Sequence, residues 1–262
     1  MTEKFIKPMP LWLSLIFFGI PGFIIYMLVY YGVPYLLNIG MPLVYAMPLL
    51  LTLPGILLIP VSLILYSVDN KKYHYNSFKE RFRLYKIKGK EWLLVLLVFV
   101  LCLAADELLQ PVGKWLAGIQ FFSPPGYIDK VSAPLNPFKE FSFPITEFMG
   151  TTIKGNWLIL LVWIPLNLMS MIGEELLWRG YILPRQEKRH KKYAFIINSL
   201  LWEFFIHACM KWNYIGMIPS MVLTPWIAQK LQNTTASMFV HIVGNILLFF
   251  LFILIGVLGI GT

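Results

Sequence analysis

Three groups of polar residues stand where an apolar helix should carry none. Glu174 and Glu175 with Arg179, Glu203 with His207, and His241 with Asn245 all fall inside long apolar runs. A charged side chain near the bilayer centre costs roughly 2.5–3.5 kcal/mol on insertion scales. Three acids and an arginine left alone would therefore cost on the order of 10 kcal/mol, comparable to the whole stability of a domain. They must be paired, solvated or used. Glu175 and Arg179 are four residues apart and share a helix face, where a carboxylate N-terminal to a guanidinium can form a bidentate pair. Glu174 sits about 100° further round the helix, off that arginine face, and is the carboxylate left free. His241 and Asn245 repeat the four-residue spacing and put an imidazole above a carboxamide, which suits donation to a developing oxyanion. Glu203 is spaced to orient the imidazole of His207. Together they can supply the base, the bound water and the oxyanion site that hydrolysis needs. The expected mechanism uses no metal or other cofactor. A zinc-dependent alternative takes Glu174, His207 and His241 as three ligands with an open water position, though no His-Glu-x-x-His sequence supports it.

The elements that must hold these side chains are membrane helices. Of 262 residues, 58% are hydrophobic and 13% charged, too few for the polar surface of a water-soluble domain of this size. A spanning helix needs about 20 mostly apolar residues. Seven segments meet that length, at 10–32, 41–67, 92–110, 157–183, 194–210, 213–229 and 236–258. The expectation is an all-α polytopic transmembrane bundle of about seven spans, six to eight, forming one integral membrane domain over 1–262. The N-terminal spans and a long loop occupy 1–156, and the site-bearing core occupies 157–258. The first apolar run, Leu11 to Val33, is longer than the core of a signal peptide and is followed by no small-x-small cleavage pattern, so it reads as an anchor.

The net charge of +9 sits between the spans and reports orientation, not nucleic-acid binding. Basic residues crowd 69–91 and 184–193, so both loops and the N-terminus are expected in the cytoplasm, with 111–156 and the C-terminus outside. Phe78, Phe82, Leu84 and Tyr85 interleave with the charges of the first loop, as a segment lying on the membrane surface would show; a plain positive-inside loop is the simpler reading. His74 and His190 belong to these loops and read as solvated. The segment 111–156 carries Pro111, Pro124, Pro125, Pro134, Pro137 and Pro144, which argues for an interfacial connection or gate and against one long helix. Asp106 and Glu107 fall near the outer end of the third span, an interfacial place from which substrate contact is a second possibility. Cys102 and Cys209 lie in apolar runs and read as packing residues. No internal repeat supports an inverted-repeat transporter, although buried Glu and His also build proton relays.

Glu174-Glu175-x-x-x-Arg179, then a histidine in the next span, then His241-x-x-x-Asn245 resembles the CAAX prenyl protease and bacteriocin-processing family, also called the Abi family of intramembrane proteases. The resemblance covers roughly residues 157–250. It implies an intramembrane endopeptidase acting on a membrane-associated or lipidated peptide, with membrane lipids as its other partners and, in a bacterium, the plasma membrane as its location. It further implies that Glu174 activates the attacking water, that His207 helps hold it, that His241 and Asn245 stabilise the tetrahedral oxyanion, and that Glu175 and Arg179 brace the site. One position departs. The family has phenylalanine four residues before the histidine of its second motif, where this sequence has Glu203 between Trp202 and Phe204. A non-catalytic scaffold, regulator or immunity protein of the same family is the alternative that this departure suggests. Depth is the other tension, because ~1.5 Å per residue from the cytoplasmic ends puts His207 roughly 10 Å deeper than His241. A tilt, a break near Pro184 or a re-entrant turn would have to bring them level.

Overall fold

A computed structural model describes residues 6–69, 75–131, 136, 138–139 and 146–260. Among the described residues the chain is all-α apart from one small hairpin, β1 (Glu147–Phe148) with β2 (Thr151–Thr152). His74, Lys71, Lys72, Pro134, Pro137 and Pro144 lie outside the described residues.

Among the described residues, four stretches are long and apolar enough to cross a membrane: Leu11–Asn38, Leu43–Asp69, Gly89–Ala117 and Trp157–Leu231. The protein is a membrane protein. The first stretch joins α1 (Leu11–Met27) to α2 (Val33–Asn38) through a π-helical turn. The second is α3 (Leu43–Asp69), the third α5 (Gly89–Ala117). The fourth runs for 75 residues, about 110 Å if it were straight against a hydrocarbon core of ~30 Å, so it has to fold back. It does so twice. α6 (Trp157–Glu174) continues through a π-helical segment, Glu175–Ile182, into α7 (Leu183–His190), and Lys191 at φ 53° turns the chain. α8 (Ala194–Leu201) passes through a second π segment, Trp202–Ile206, and is broken at His207–Asn213, where Met210 leaves helical geometry. α9 (Tyr214–Leu231) returns to the level of that first turn, where the Gln229 side-chain amide donates to the carbonyl of Lys191 at 3.2 Å. Gln232 in the left-handed conformation and the Asn233 cap then start α10 (Thr234–Met238), which leads through the π segment Phe239–Leu247 into α11 (Leu248–Leu258).

Small residues let these helices touch. A Cβ on Gly173 would run into the carbonyl of Gly55, and one on Gly55 into the side chain of Ser170, so α3 and α6 meet backbone to backbone one residue before Glu174. In a bilayer, where lipid is as apolar as leucine, such close approach is what drives helices together. Gly22 of α1 meets the carbonyl of Phe205 in the same way.

Three expectations change. The third helix is not a 92–110 span but runs from Gly89 to Ala117 straight through Pro111. The segment after it does not merely rest on a surface: Ile128, Val131, Phe148, Met149 and Ile153 are buried against Ile159 and Trp163, and the Tyr127 hydroxyl donates to the carbonyl of Val29 at 2.9 Å. The basic stretch before α5 turns inward as well. In α4 (Tyr75–Arg81) and just beyond it, Phe82 is fully buried and Phe78 packs on Tyr66, so these two rings turn into the core while Tyr85 stays exposed. Arg81 donates to the carbonyls of Gly180 and Tyr181 at 3.2 and 3.3 Å, and burial pushes it down to about 10. Arg83 makes a two-pronged contact with Glu187 at 2.9 and 3.0 Å. Cys102 and Cys209 are both free and buried.

Candidate functional site

All the polar residues picked out in the spans sit in or beside π-helical turns: Glu174 at the end of α6, Glu175 and Arg179 in Glu175–Ile182, Glu203 in Trp202–Ile206 with His207 next to it, and His241 and Asn245 in Phe239–Leu247. A π turn widens the helix by one residue per turn and so redirects side chains. Such turns concentrate at functional sites. The first is braced from outside, because Arg81 caps two of its carbonyls and Phe82 packs directly on Gly180.

The two neighbouring glutamates have different surroundings. Glu175 is fully buried. It accepts from Ser237 Oγ at 2.6 Å, faces His241 Nδ1 at 3.0 Å and lies 3.4 Å from Arg179 Nε. Glu174 is only partly buried, and among the described residues one side-chain hydrogen bond reaches it, from Trp202 Nε1 to Oε2 at 3.1 Å. The Glu175–Arg179 contact is not bidentate, because Ser237 and His241 already occupy the two carboxylate oxygens. The guanidinium instead lies over the indole of Trp202, 3.4 Å from the ring centroid, and its two terminal nitrogens have no hydrogen-bond partner among the described residues.

Trp202 is the common neighbour. Its ring meets those of His207 and His241 edge-on, with centroids 5.2 and 4.9 Å apart, and stands between Arg179 and the Glu174 carboxylate. This also resolves the depth problem. Trp202 lies eight residues into the helix that starts at Ala194, and His241 seven into the one that starts at Thr234, or ~12 and ~11 Å from neighbouring turns. The indole bridges the remaining turn to His207. No break near Pro184 is involved, since the helix continues through it.

Glu203 is 2% exposed, and neither of its oxygens has a hydrogen-bond partner among the described residues. The nearest ionisable contact is His207 Nδ1 at 3.8 Å, too long for a hydrogen bond. Asn245 donates its amide to the carbonyl of His241 at 2.8 Å, and among the described residues its second N–H hydrogen has no acceptor. Asp106 accepts from Ser220 of α9 at 2.8 Å on both oxygens, well inside the lengthened α5 and close enough for its charge to act on Glu203. Among the described residues no three His, Cys, Asp or Glu side chains converge as a metal-ligand set.

Two contributors lie outside the sequence reading. Ser237 is four residues before His241, a spacing that could have flagged it as a partner on the same face. Trp202 gave no such signal, because its place depends on the π turn.

No curated protein and no solved structure gives a match. Residues 156–247, from just before α6 to the end of the π segment Phe239–Leu247, match the family described as type II CAAX prenyl endopeptidase, Rce1-like. That stretch, which is similar to the Rce1-like type II CAAX prenyl endopeptidases, contains every polar group assembled around Trp202.

Proposed function

We propose that the protein is an intramembrane endopeptidase that hydrolyses a peptide bond of a lipidated, membrane-associated peptide at Glu174. The observation that carries this reading is the inequality of the two adjacent carboxylates. Glu175 is saturated by Ser237, His241 and Arg179, whereas Glu174 keeps access and one oxygen without a protein donor. A base needs that second property.

Glu174 takes a proton from water as the water oxygen attacks the carbonyl carbon, and His207 holds that water. The carbonyl becomes an oxyanion facing His241 Nε2 and the second amide hydrogen of Asn245. On collapse the C–N bond breaks and the proton held by Glu174 passes to the leaving nitrogen. His241 Nδ1 faces the Glu175 carboxylate at 3.0 Å, and Nε2 donates to the oxyanion when the ring carries both protons. Glu203 stands behind His207 and orients it on small movement of either side chain. An apolar cavity of about 550 Å³, lined by Ile87, Trp92, Met238, Phe239 and Ile242 with Lys86 at its edge, flanks His241 on the same helix and would take the lipid tail. We further propose seven crossings with a cytoplasmic N-terminus, the arrangement that puts the Arg83–Glu187 end of the bundle inside.

The test is cleavage of a quenched fluorogenic farnesylated CAAX peptide by the purified chain in liposomes. Glu174→Ala is expected to abolish it, and chelators to leave it unchanged. Loss with chelator that added zinc restores would move the mechanism to metal. Failure to cleave this or any other membrane-tethered peptide would favour the scaffold alternative.

A further inference from the structure

We propose that Trp202 is a positioning residue for the reaction assigned above to Glu174. Its indole N–H engages Oε2 at 3.1 Å, so that Oε1 is the oxygen presented to water. The inference rests on that functional reading. Packing alone does not account for the bond. Trp178 is equally buried, lies 6.3 Å away ring to ring, and its indole nitrogen has no hydrogen-bond partner among the described residues. Burial of a tryptophan in this core therefore does not by itself supply an acceptor, and the Trp202–Glu174 bond is a specific alignment.

What aligns it is visible on each side of the ring. The Arg179 guanidinium lies on one face at 3.4 Å, and the two imidazoles pack at steep angles to the ring with centroids 5.2 and 4.9 Å away. Two devices set the direction of the N–H: the π turn Trp202–Ile206, and the ion-paired Arg179, itself held by Glu175. Arg179 thus reaches Glu174 through the indole. A single fixed donor on one carboxylate oxygen removes the rotational freedom of a short side chain that must meet water in one orientation.

The test replaces Trp202 in the full-length protein with benzothienylalanine, which keeps the bicyclic shape and exchanges N–H for sulfur. With the farnesylated fluorogenic peptide, kcat is expected to fall about tenfold or more, with KM and the thermal midpoint unchanged. Trp202→Phe should lower kcat as well, and also the midpoint. Full kcat in the benzothienyl protein would overturn the inference. A second readout does not depend on turnover: the Trp202 indole ¹H–¹⁵N resonance, assigned by its loss in Trp202→Phe, should move upfield in Glu174→Ala. If it stays in place, the bond does not exist and the inference fails whatever the kinetics. If it moves but the wild-type chain cleaves no peptide, the protease reading fails, and with it any catalytic use of the bond.

Discussion

The backbone N–H of His207 reaches back five residues to the carbonyl of Trp202, one further than an α-helix allows. That slip decides which side chain meets the imidazole. In an uninterrupted α-helix the residue four before the histidine, Glu203, shares its face. With the π turn, Trp202 meets the imidazole, 5.2 Å from His207 ring to ring, and neither oxygen of the buried Glu203 has a hydrogen-bond partner among the described residues. Glu203→Leu is expected to raise the thermal midpoint in detergent, because it removes an unsatisfied buried polar group worth about 1–3 kcal/mol. A lower midpoint would show that Glu203 has a stabilising partner in the folded protein.

Glu174 and Glu175 are chemically identical neighbours whose removal should have opposite consequences. Glu174→Ala deletes the base but only one hydrogen bond, so turnover should vanish while stability changes by less than about 1 kcal/mol. Glu175→Ala strands Arg179, Ser237 and His241 together. Breaking a buried ion pair from one side costs about 3–5 kcal/mol, and the yield of folded protein should fall accordingly. Thermal unfolding of the two variants in one detergent distinguishes the roles. Equal stabilities would remove the distinction on which the assignment of the base depends.

How far the sequence reaches can be judged from these same residues. Composition and apolar run lengths identify membrane helices because bilayer thickness sets their length. The pairing of Glu175 with Arg179 was legible because four-residue spacing nearly survives a π turn. The identity of Glu175's other partners was not, since Ser237 and His241 approach from a helix more than 60 residues away. Neither was the inward turn of Phe82 and Arg81. A basic, aromatic loop has the same composition whether it lies on lipid or caps the carbonyls of a neighbouring helix, and only Gly180, which leaves room for Phe82, hints at the second. The centrality of Trp202 was hidden for a simpler reason: helical spacing arguments assume 3.6 residues per turn, and here the turn is wider.

The crossing of α3 and α6 sets the position of Glu174 as much as any polar contact. Gly173 faces the Gly55 carbonyl with no room for a methyl group, and backbone, unlike a flexible side chain, cannot step aside. Gly173→Ala should therefore force the helices apart, cost about 1–3 kcal/mol, and reduce kcat even at temperatures where the protein stays folded. Gly180→Ala meets the Phe82 side chain, which can shift, and should cost less. Reversal of that order in thermal unfolding would show that the α3–α6 contact is not the rigid one.

The cavity beside His241 allows the lipid part of substrate recognition to be separated from the chemistry. Its walls are apolar, and the helix that forms one side carries His241 between Phe239 and Ile242. Filling it should therefore obstruct the lipid tail while leaving the polar groups in place. Met238→Trp puts a larger side chain into the cavity without touching Glu174, His207 or Asn245. If the tail binds there, KM for the farnesylated peptide should rise about tenfold, since a few lost methylene contacts at ~0.8 kcal/mol each suffice for that. The kcat should hold, because binding lost equally from ground and transition states leaves the chemical step unaltered. A peptide of the same sequence without the lipid should show no change in either constant. A fall in kcat for both peptides would mean that the substitution had disturbed His241 instead, and the tail would then have to be sought elsewhere on the bundle.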